Sequence, residues 1–374
     1  MAHYIEQLQA LFYGIESTEG TAVLGTATEA LLVRDLKKPI PRDFHEREFV
    51  QAFGTRPGVV GAIQSAPFSF AAELKNRGVT NNVPELDELY KTVFGTRTLD
   101  TLNSTATGGT STVITTASTA GLTVGNIIGV ETTASSDVYE ARRVTALTAN
   151  TNITVSPALS FSPASGAALV GSLTFVIAET GHQSLSFQNY LNSTEYWQAV
   201  GCRGNFKIES EGAGKIPMGM WDMLGWSWSV NTGGTRPSST FDTNAPPLAS
   251  TCKWSVDTTL TDIVKFSFDL GNVVTPLTSQ NSTLGVYKTP ITNAKPRGSF
   301  TVHPESFGQI TGWTAPTAFQ LTGQWGNTLN NGVCINFPTC QRNPVAWGDD
   351  NGVGTNEVGF IANGGTAAVY LGFF

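Results

Sequence analysis

The stretch from Gly201 to Val230 has the residue pattern of an antiparallel β-sheet. Polar and apolar residues alternate over 205–209, so that one face of this segment is apolar and the other polar, as in a half-buried strand. Pro217 and Gly219 interrupt the alternation before a second run. The motif Gly201-Cys202-Arg203-Gly204 at the start is typical of a bulge or turn. The stretch therefore predicts paired strands, and it contains no catalytic constellation.

Alternation with a period of two recurs along much of the chain. It is found at 68–74, 184–187, 264–270, 300–302 and 369–373. One helix is predicted, from Pro84 at its first turn through an apolar stripe that ends at Gly95. These patterns predict a mainly β protein, a β-sandwich or barrel core with one flanking α-helix.

Residues 101–176 differ in composition from the rest. They are rich in Thr, Ser, Ala and Gly, and glycine or asparagine turn signals separate short predicted strands at 126–131, 138–145 and 152–155. Because strand alternation resumes near Ser184, we expect a small all-β domain inserted into the core. The predicted organisation is thus a core formed by residues 1–100 and 177–374, with the inserted domain between them.

The charge content restricts the class of function. Only 14% of the 374 residues are charged, against about 25% in typical proteins, which favours a member of an assembly whose surface is covered by other subunits. The net charge of −7 argues against sequence-independent binding of phosphates through a basic patch. We see no signal peptide and no apolar run of membrane-spanning length, so we expect synthesis in the cytosol.

No pattern for a cofactor, metal or catalytic centre stands out, and we predict no cofactor and no enzyme activity. The four cysteines are too few and too irregularly spaced for a disulfide framework, and we expect them to be reduced; a bond between Cys334 and Cys340 stays open. Lys215 lies in a glycine-rich segment that fails the phosphate-loop pattern and predicts a turn. Asp349-Asp350 fits a hairpin turn better than a calcium loop. Carboxylates that meet in space leave a glycoside hydrolase as an alternative.

The densest cluster of charges lies between Lys37 and Gly61. A solvated loop is one interpretation, and an arm that meets a neighbouring subunit through mixed charges is the other. The candidate inter-subunit residues are Arg42, Asp43, Phe44, His45, Glu46, Arg47, Glu48 and Arg56.

The order of these features resembles that of phage tail tube proteins, also called major tail proteins. The resemblance covers most of the chain except residues 101–176 and is carried by short structural motifs: Val33-Arg34-Asp35-Leu36, the strand from Phe68 to Leu74, Val83-Pro84-Glu85-Leu86, the segment from Val200 to Ile208, Ser250-Thr251-Cys252, Arg297-Gly298-Ser299-Phe300 and Val345-Ala346-Trp347.

The resemblance implies a structural virion protein that is assembled in the host bacterial cytoplasm. It implies homohexameric rings that stack into a hollow tube, the conduit for genome ejection. The implied partners are other copies of the chain, the tape measure protein, the baseplate or tip, the tail terminator and the passing double-stranded DNA, without specific DNA binding and without membrane insertion.

The same resemblance makes Glu209, Glu211 and Asp269 candidates for acidic residues that line the lumen, since an acidic wall repels DNA phosphates. Alternation alone leaves open whether their face is lumen or exterior. We expect the inserted domain to decorate the exterior or to fill contacts between rings, and its deletion to leave assembly intact. A capsid decoration or tail-fibre protein that binds glycans is the alternative function.

Overall fold

The fold is mainly β with a single α-helix among the described residues, which confirms the predicted fold class. The computed structural model describes residues 9–38, 65–76, 83–212, 214–304, 317–350 and 352–374, together with the backbone alone at 44–45 and 59–60. Short 3₁₀ turns lie at Ala27–Glu29, Ala249–Thr251 and Gly365–Ala367.

The strands are numbered in chain order. Before residue 100 they are β1 (Ala10–Ile15), β2 (Ala30–Leu31), β3 (Arg34–Lys37), β4 (Phe44–His45), β5 (Val59–Val60), β6 (Ala66–Glu73) and, after helix α1 (Asp87–Phe94), β7 (Gly95–Leu99). The next group is β8 (Asn103–Gly109), β9 (Val113–Thr116), β10 (Ile127–Glu131), β11 (Tyr139–Thr148), β12 (Asn152–Ser156), β13 (Ala168–Gly171) and β14 (Leu173–Ile177).

The remaining strands begin with β15 (Leu185–Tyr190), β16 (Tyr196–Ser210), β17 (Met218–Gly225), β18 (Ser227–Asn231), β19 (Lys253–Val256), β20 (Thr259–Leu260) and β21 (Ile263–Asp269). They continue with β22 (Val273–Val274), β23 (Leu277–Thr278), β24 (Val286–Lys288), β25 (Ile291–Asn293), β26 (Arg297–Val302), β27 (Phe319–Trp325), β28 (Val333–Asp350), β29 (Val353–Ala362) and β30 (Tyr370–Phe373).

Three sheets form the core. The long sheet has the order β3-β6-β17-β16-β21-β26-β29-β28. The first cover sheet has the order β2-β1-β15-β16-β18, and the second has the order β20-β19-β27-β28-β30-β14-β7. The long strands β16 and β28 each pass from a cover sheet into the long sheet, so they join the two layers.

The two layers bury a continuous aromatic core between them. Phe68 of the long sheet lies 5.0 Å, between ring centroids, from Phe187 of the first cover sheet. Farther along, Phe266 lies 4.4 Å from Trp254 of the second cover sheet. The apolar residues that alternate in the sequence therefore face this core, as a half-buried strand requires.

Helix α1 fills one end of this core. It begins at Asp87, later than the predicted start at Pro84, because residues 84–86 form a turn in which Asp87 N donates to Pro84 O at 3.0 Å. Its apolar stripe is buried, and the Tyr90 ring lies within 5.5 Å of the Trp221 and Phe373 rings. The predicted helix and its core-packing face are thus present.

The core consists of two modules with the same connectivity, which we had not expected from the sequence. The first module is formed by β1, β2, β3, β6, β15, β16, β17 and β18. The second is formed by β19, β20, β21, β26, β27, β28, β29 and β30. Each strand pairing of the first module recurs between the corresponding strands of the second, and all these pairings are antiparallel. Such repetition is the mark of an internal duplication.

The strand registers support the duplication. In the first module the register of β15 on β16 shifts just after the pair Leu185 and Cys202. In the second, the register of β27 on β28 shifts just after the pair Phe319 and Cys340. The same bulge opposite a buried cysteine thus occurs at the same place in both modules, and bulges are specific features of a strand pair.

The inserted residues form a closed barrel of six strands, β8-β9-β12-β11-β10-β13. It spans Asn103–Gly171, and its cluster of apolar residues is separate from that of the core. Strand β14 falls inside the predicted range of 101–176 but pairs with β7 and β30 of the second cover sheet. The predicted deletion would therefore remove a core strand as well as the barrel.

The barrel packs against the outer face of the second cover sheet. Ala141 N donates to Gln324 Oε1 at 2.7 Å, and Gln324 Nε2 donates to Tyr139 O at 2.9 Å. Apolar side chains, including Cys334 and Phe374, fill the interface. The barrel is thus fixed on the side of the cover sheet that faces away from the long sheet.

All four cysteines are free, as expected. Cys334 and Cys340 lie on one strand, six positions apart, so the extended backbone separates them by about 20 Å. A bond between them, which the sequence left open, is therefore excluded by the distance. Burial raises the pKa of both Cys252 and Cys334 to about 12, which leaves these thiols protonated and unreactive at neutral pH.

Candidate functional site

The face of the long sheet that points away from the core is largely polar over its six inner strands, β6 to β29. We call it the polar face; it is lined by Ser69, Glu73, Asp222, Asn205, Lys207, Glu209, Lys265, Ser267, Asp269, Arg297, Ser299, Thr301 and Glu357. Their neighbours in sequence, such as Phe206 and Phe300, point into the core.

The predicted acidic residues lie on or beside this face. Glu209 and Asp269 point from neighbouring strands, and Glu211 follows directly after the end of β16. Glu209 and Glu211 line a groove of about 400 Å³ whose other wall includes Asp349 and Glu357. The structure thus brings the three predicted carboxylates together on one surface.

Cations are interleaved with these carboxylates, which the sequence prediction had not included. Lys207 Nζ lies 2.7 Å from Asp222 Oδ2, and Arg297 Nη2 lies 3.7 Å from Asp269 Oδ2. The Asp222 hydrogen bond raises the pKa of Lys207, so its charge is retained. The polar face is therefore a mixed-charge surface with an acidic groove at one end.

The two modules join through strands β16 and β21, and the core side of this module junction is buried. Lys207 lies opposite Asp269, and Ser210 lies opposite Phe266. The Asn205 side chain bridges the modules: its Nδ2 donates to Asp269 Oδ1 at 2.7 Å, and its Oδ1 accepts from Asn272 N at 2.9 Å.

The motif Gly201-Cys202-Arg203-Gly204 lies at this junction. Gly201 has a φ of 63°, and a side chain there would lie 3.2 Å from the Trp226 ring. A side chain at Gly204 would collide with Met223, 2.4 Å away. Both glycines are therefore required by the path of β16 as it passes from one sheet to the other.

Arg203 of this motif holds three segments together. Its Nη1 and Nη2 donate to the two carboxylate oxygens of Glu19 at 2.7 and 3.0 Å, a bidentate pair. Glu19 in turn accepts from Thr289 N, in the connection between β21 and β26 of the second module. Burial alone would raise the pKa of Glu19, but the hydrogen bonds and charge of Arg203 outweigh it, and the pKa lies below its ordinary value.

Each end of the long sheet has an edge that no described strand pairs. At one end is β3, which pairs with β6 alone among the described strands. At the other, the segment Ala346–Asp350 of β28 pairs only with β29 within the described part of the chain. Arg34, Asp35 and Lys37 are exposed on β3, with a net positive charge, and Asp349 and Asp350 are exposed on β28. The two open edges thus carry opposite charge.

Of the predicted arm residues, only the backbone of Phe44 and His45 is described. It pairs with Val59 and Val60 in an antiparallel bridge. The other arm candidates, Arg42, Asp43, Glu46, Arg47, Glu48 and Arg56, lie outside the described residues.

Several sequence motifs turn out to be turns. Gly212 and Lys215 lie in the connection between β16 and β17, where Lys215 N donates to Gly212 O. Asp349 lies at the end of the β28–β29 hairpin, and its Oδ2 accepts from Gly352 N at 3.1 Å. In the described part of the chain, no group of three or more His, Cys, Asp or Glu residues is arranged to hold a metal ion. None of its helices is long and apolar enough to cross a membrane.

Sequence reasoning missed the duplication, although weak traces of it exist. Ser69-Phe70 and Ser299-Phe300 occupy equivalent positions of β6 and β26, and each module has a Cys-x-x-Asn segment, at 202–205 and at 340–343. Two such short matches in 374 residues are too few to recognise without the strand registers. In the comparisons with known proteins, no family model matches the chain, and no curated protein is detectably similar to it in sequence.

Proposed function

We propose that this chain is a structural subunit of a phage tail tube. Copies of it form rings, and the rings stack into a hollow tube through which the genome passes. The observation that carries this proposal is the long sheet: it runs without a break through both modules, has one polar face, and ends at two open edges of opposite charge. Such edges pair readily with other chains, and closure into a ring removes them.

In this proposal the polar face lines the lumen. The opposite side of the long sheet is buried in the core, and the inserted barrel is attached to the far side of the second cover sheet. The barrel therefore projects from the tube exterior. Passing DNA meets a wall on which Lys207 and Arg297 are paired with carboxylates, which weakens their attraction for phosphates, so the DNA slides without being bound. The tape measure protein occupies the lumen before ejection, and the tip and terminator proteins bind the two ends of the tube.

Electron microscopy of the purified chain tests the proposal. We expect hollow tubes or stacked rings with regular knobs on the outside, one for each inserted barrel. Particles that never stack at high protein concentration, even with precipitants that favour association, would contradict the proposal.

A glycan-binding function is the alternative, because an aromatic side chain lies beside the acidic groove. Trp347 is 61% exposed and lines the groove with Glu209 and Lys265. Aromatic faces and polar groups together are the usual elements of sugar recognition. A glycan array decides between the two: a specific hit that is lost in a Trp347→Ala variant would favour the alternative.

A further inference from the structure

The module junction inside the chain is a template for a contact between chains. Within the chain, β16 of the first module pairs with β21 of the second. The counterpart of β16 in the second module is β28, and the counterpart of β21 in the first module is β3. These are the two edge strands of the long sheet, and no described strand pairs with their outer edges there. The outer edges of β28 and β3 are thus the counterparts of the two strand edges that already pair once inside the chain.

The strand registers fix the equivalent positions. Reading across the sheet, one row of paired residues in the first module and one in the second correspond position by position: Arg34, Ala71, Met220 and Lys207, against Lys265, Thr301, Glu357 and Ala346. Arg34 therefore corresponds to Lys265 and Ala346 to Lys207. By the same registers, Gly348 corresponds to Glu209 and Lys37 to Ser267.

We propose that three copies of this chain close into one ring, in which the segment Ala346–Asp350 of one copy pairs antiparallel with β3 of the next. The register of the internal junction, carried over, places Gly348 opposite Lys37. The two paired edges follow from the internal junction, whereas the number of chains in the ring rests on the tube function proposed above.

An exposed tryptophan supports this pairing. Trp347 stands at the position of Ile208, since the row Ile208, Gly219, Ala72 corresponds to the row Trp347, Asn356, Val302. Ile208 is fully buried at the internal junction, whereas Trp347 is 61% exposed. At the internal junction, the second module covers this position of the first module. A large apolar side chain such as Trp347 at the equivalent, exposed position is accounted for by burial against a neighbouring copy.

Charge complementarity points to the same partner. Arg34, Asp35 and Lys37 are exposed on β3 and carry a net positive charge, and Asp349 and Asp350 are exposed at the end of β28. Asp350 corresponds to Glu211, and Arg34 to Lys265; at the internal junction Glu211 and Lys265 line the same groove. Complementary charges at an interface fix the register and disfavour wrong partners.

The stagger of the long sheet shows that this pairing leads to a closed barrel. The row that starts at Arg34 reaches Asp269 in the second module, four residues away from Lys265, which corresponds to Arg34. A shift of four residues over four strands tilts the strands by about 35° from the barrel axis, a typical value for closed barrels.

The number of chains follows from the width of such a barrel. With about 4.8 Å between strands and this tilt, the backbone diameter is roughly 15, 30 or 45 Å for one, two or three chains of eight strands. Side chains narrow each opening by about 12 Å, and three chains are the fewest that leave clear space around a duplex about 20 Å wide. Three chains also supply six modules, the ring size that the tail tube resemblance implies.

Native mass spectrometry and electron microscopy of the wild-type chain measure the stoichiometry. We expect rings of three 39.7 kDa chains, about 119 kDa, with three external knobs per ring because each chain carries one barrel. Six chains and six knobs per ring would overturn the inference and leave the tube function standing. Three-chain rings that never stack would support the inference and contradict the tube function. A wild-type chain that stays at 39.7 kDa up to millimolar concentration overturns the inference.

Charge reversal tests the proposed edges. Arg34→Glu with Lys37→Glu, and separately Asp349→Lys with Asp350→Lys, should each yield a folded monomer with at least a hundredfold weaker association. A chain that carries all four changes should assemble again, since both edges are reversed together. Thr133→Lys with Thr148→Lys on the exposed barrel surface is the control and should assemble normally. Circular dichroism confirms folding of each variant. If the fourfold variant stays monomeric while the control assembles, the edge pairing is wrong.

Discussion

The two modules share connectivity and register but differ in what surrounds their last long strand. In the first module, residues 207–210 of β16 are covered by β21, and Ile208 is fully buried. In the second, the corresponding segment of β28 has no described strand beyond it, and Trp347 is 61% exposed. The difference lies in the neighbours of the strand and not in the module fold. The proposed pairing between copies would cover this exposed apolar edge in the way that β21 covers residues 207–210 of β16.

The modules also differ beside the bulge that they share. The first has Arg203 bound to Glu19, whereas its counterpart in the second is the exposed Gln341. The connection between β1 and β2, which carries Glu19, is long, and the one between β19 and β20 is a tight turn. The Arg203–Glu19 pair is thus a feature of the module junction and not of the module fold.

Hydrogen exchange should show the largest contrast between the modules. In the monomer, amides at 207–210 are enclosed by strands on both sides, whereas amides at 346–350 that point to the open edge contact solvent. We expect exchange to differ by roughly three orders of magnitude, which corresponds to about 4 kcal/mol of opening free energy. Mass spectrometry of peptides from a dilute monomer and from assembled protein measures it.

Assembly should remove this contrast by protecting 346–350. Equal protection of the two segments in the verified monomer would contradict the view that the second edge is open.

Replacing the arginine at the junction should have the next largest effect. Arg203→Ala leaves the half-buried Glu19 carboxylate without its partner, and we expect a loss of about 3 kcal/mol in the free energy of unfolding. Gln341→Ala at the equivalent position of the second module should change it by less than about 0.5 kcal/mol. Urea denaturation measures both, and equal losses would refute the assignment of this pair to the junction.

The mainly β fold and the helix were predictable because strand alternation and helix caps are local signals. The strand alternation at Phe68 to Leu74 and the helix end at Gly95 follow from neighbouring residues alone. The duplication was not predictable from the sequence, because it is a property of the strand pairing. Strands β26 and β29 have almost no residues in common with β6 and β17. The carboxylates Glu209 and Asp269 could be placed on polar strand faces, but alternation carries no information about the strand that lies alongside. Hence their pairing with cations, and the role of Asn205, required the register.

Replacing the asparagines of the two Cys-x-x-Asn segments should give a smaller difference in the free energy of unfolding than replacing Arg203 and Gln341. Asn205 bonds to Asp269 and Asn272 across the junction, and Asn205→Ala should lower the free energy of unfolding by about 1 to 2 kcal/mol. Asn343 is exposed at the equivalent position, so Asn343→Ala should leave the stability of the monomer almost unchanged.

In assembled protein, Asn343→Ala should have a larger effect than in the monomer, since Asn343 would then lie at the junction with the next copy. An association constant that is unaffected by Asn343→Ala would argue against equivalence of the two junctions.

The pH dependence of stability gives the smallest and most specific contrast. The pKa of Glu19 is lowered from 4.5 in the folded chain, because hydrogen bonds and the charge of Arg203 outweigh the opposing effect of burial. A lowered folded pKa stabilises the fold at pH values above the unfolded pKa, and this contribution is lost as the pH falls through the folded pKa. Wild type should therefore be more stable than Glu19→Gln at pH 7, and the gap should narrow progressively below pH 4.5. The second module has no residue that corresponds to Glu19, because its β19–β20 connection is a tight turn. Thermal unfolding of the two proteins between pH 7 and pH 3 measures this gap. A gap between wild type and Glu19→Gln that stays constant down to pH 3 would show that the Arg203–Glu19 pair does not hold the modules together.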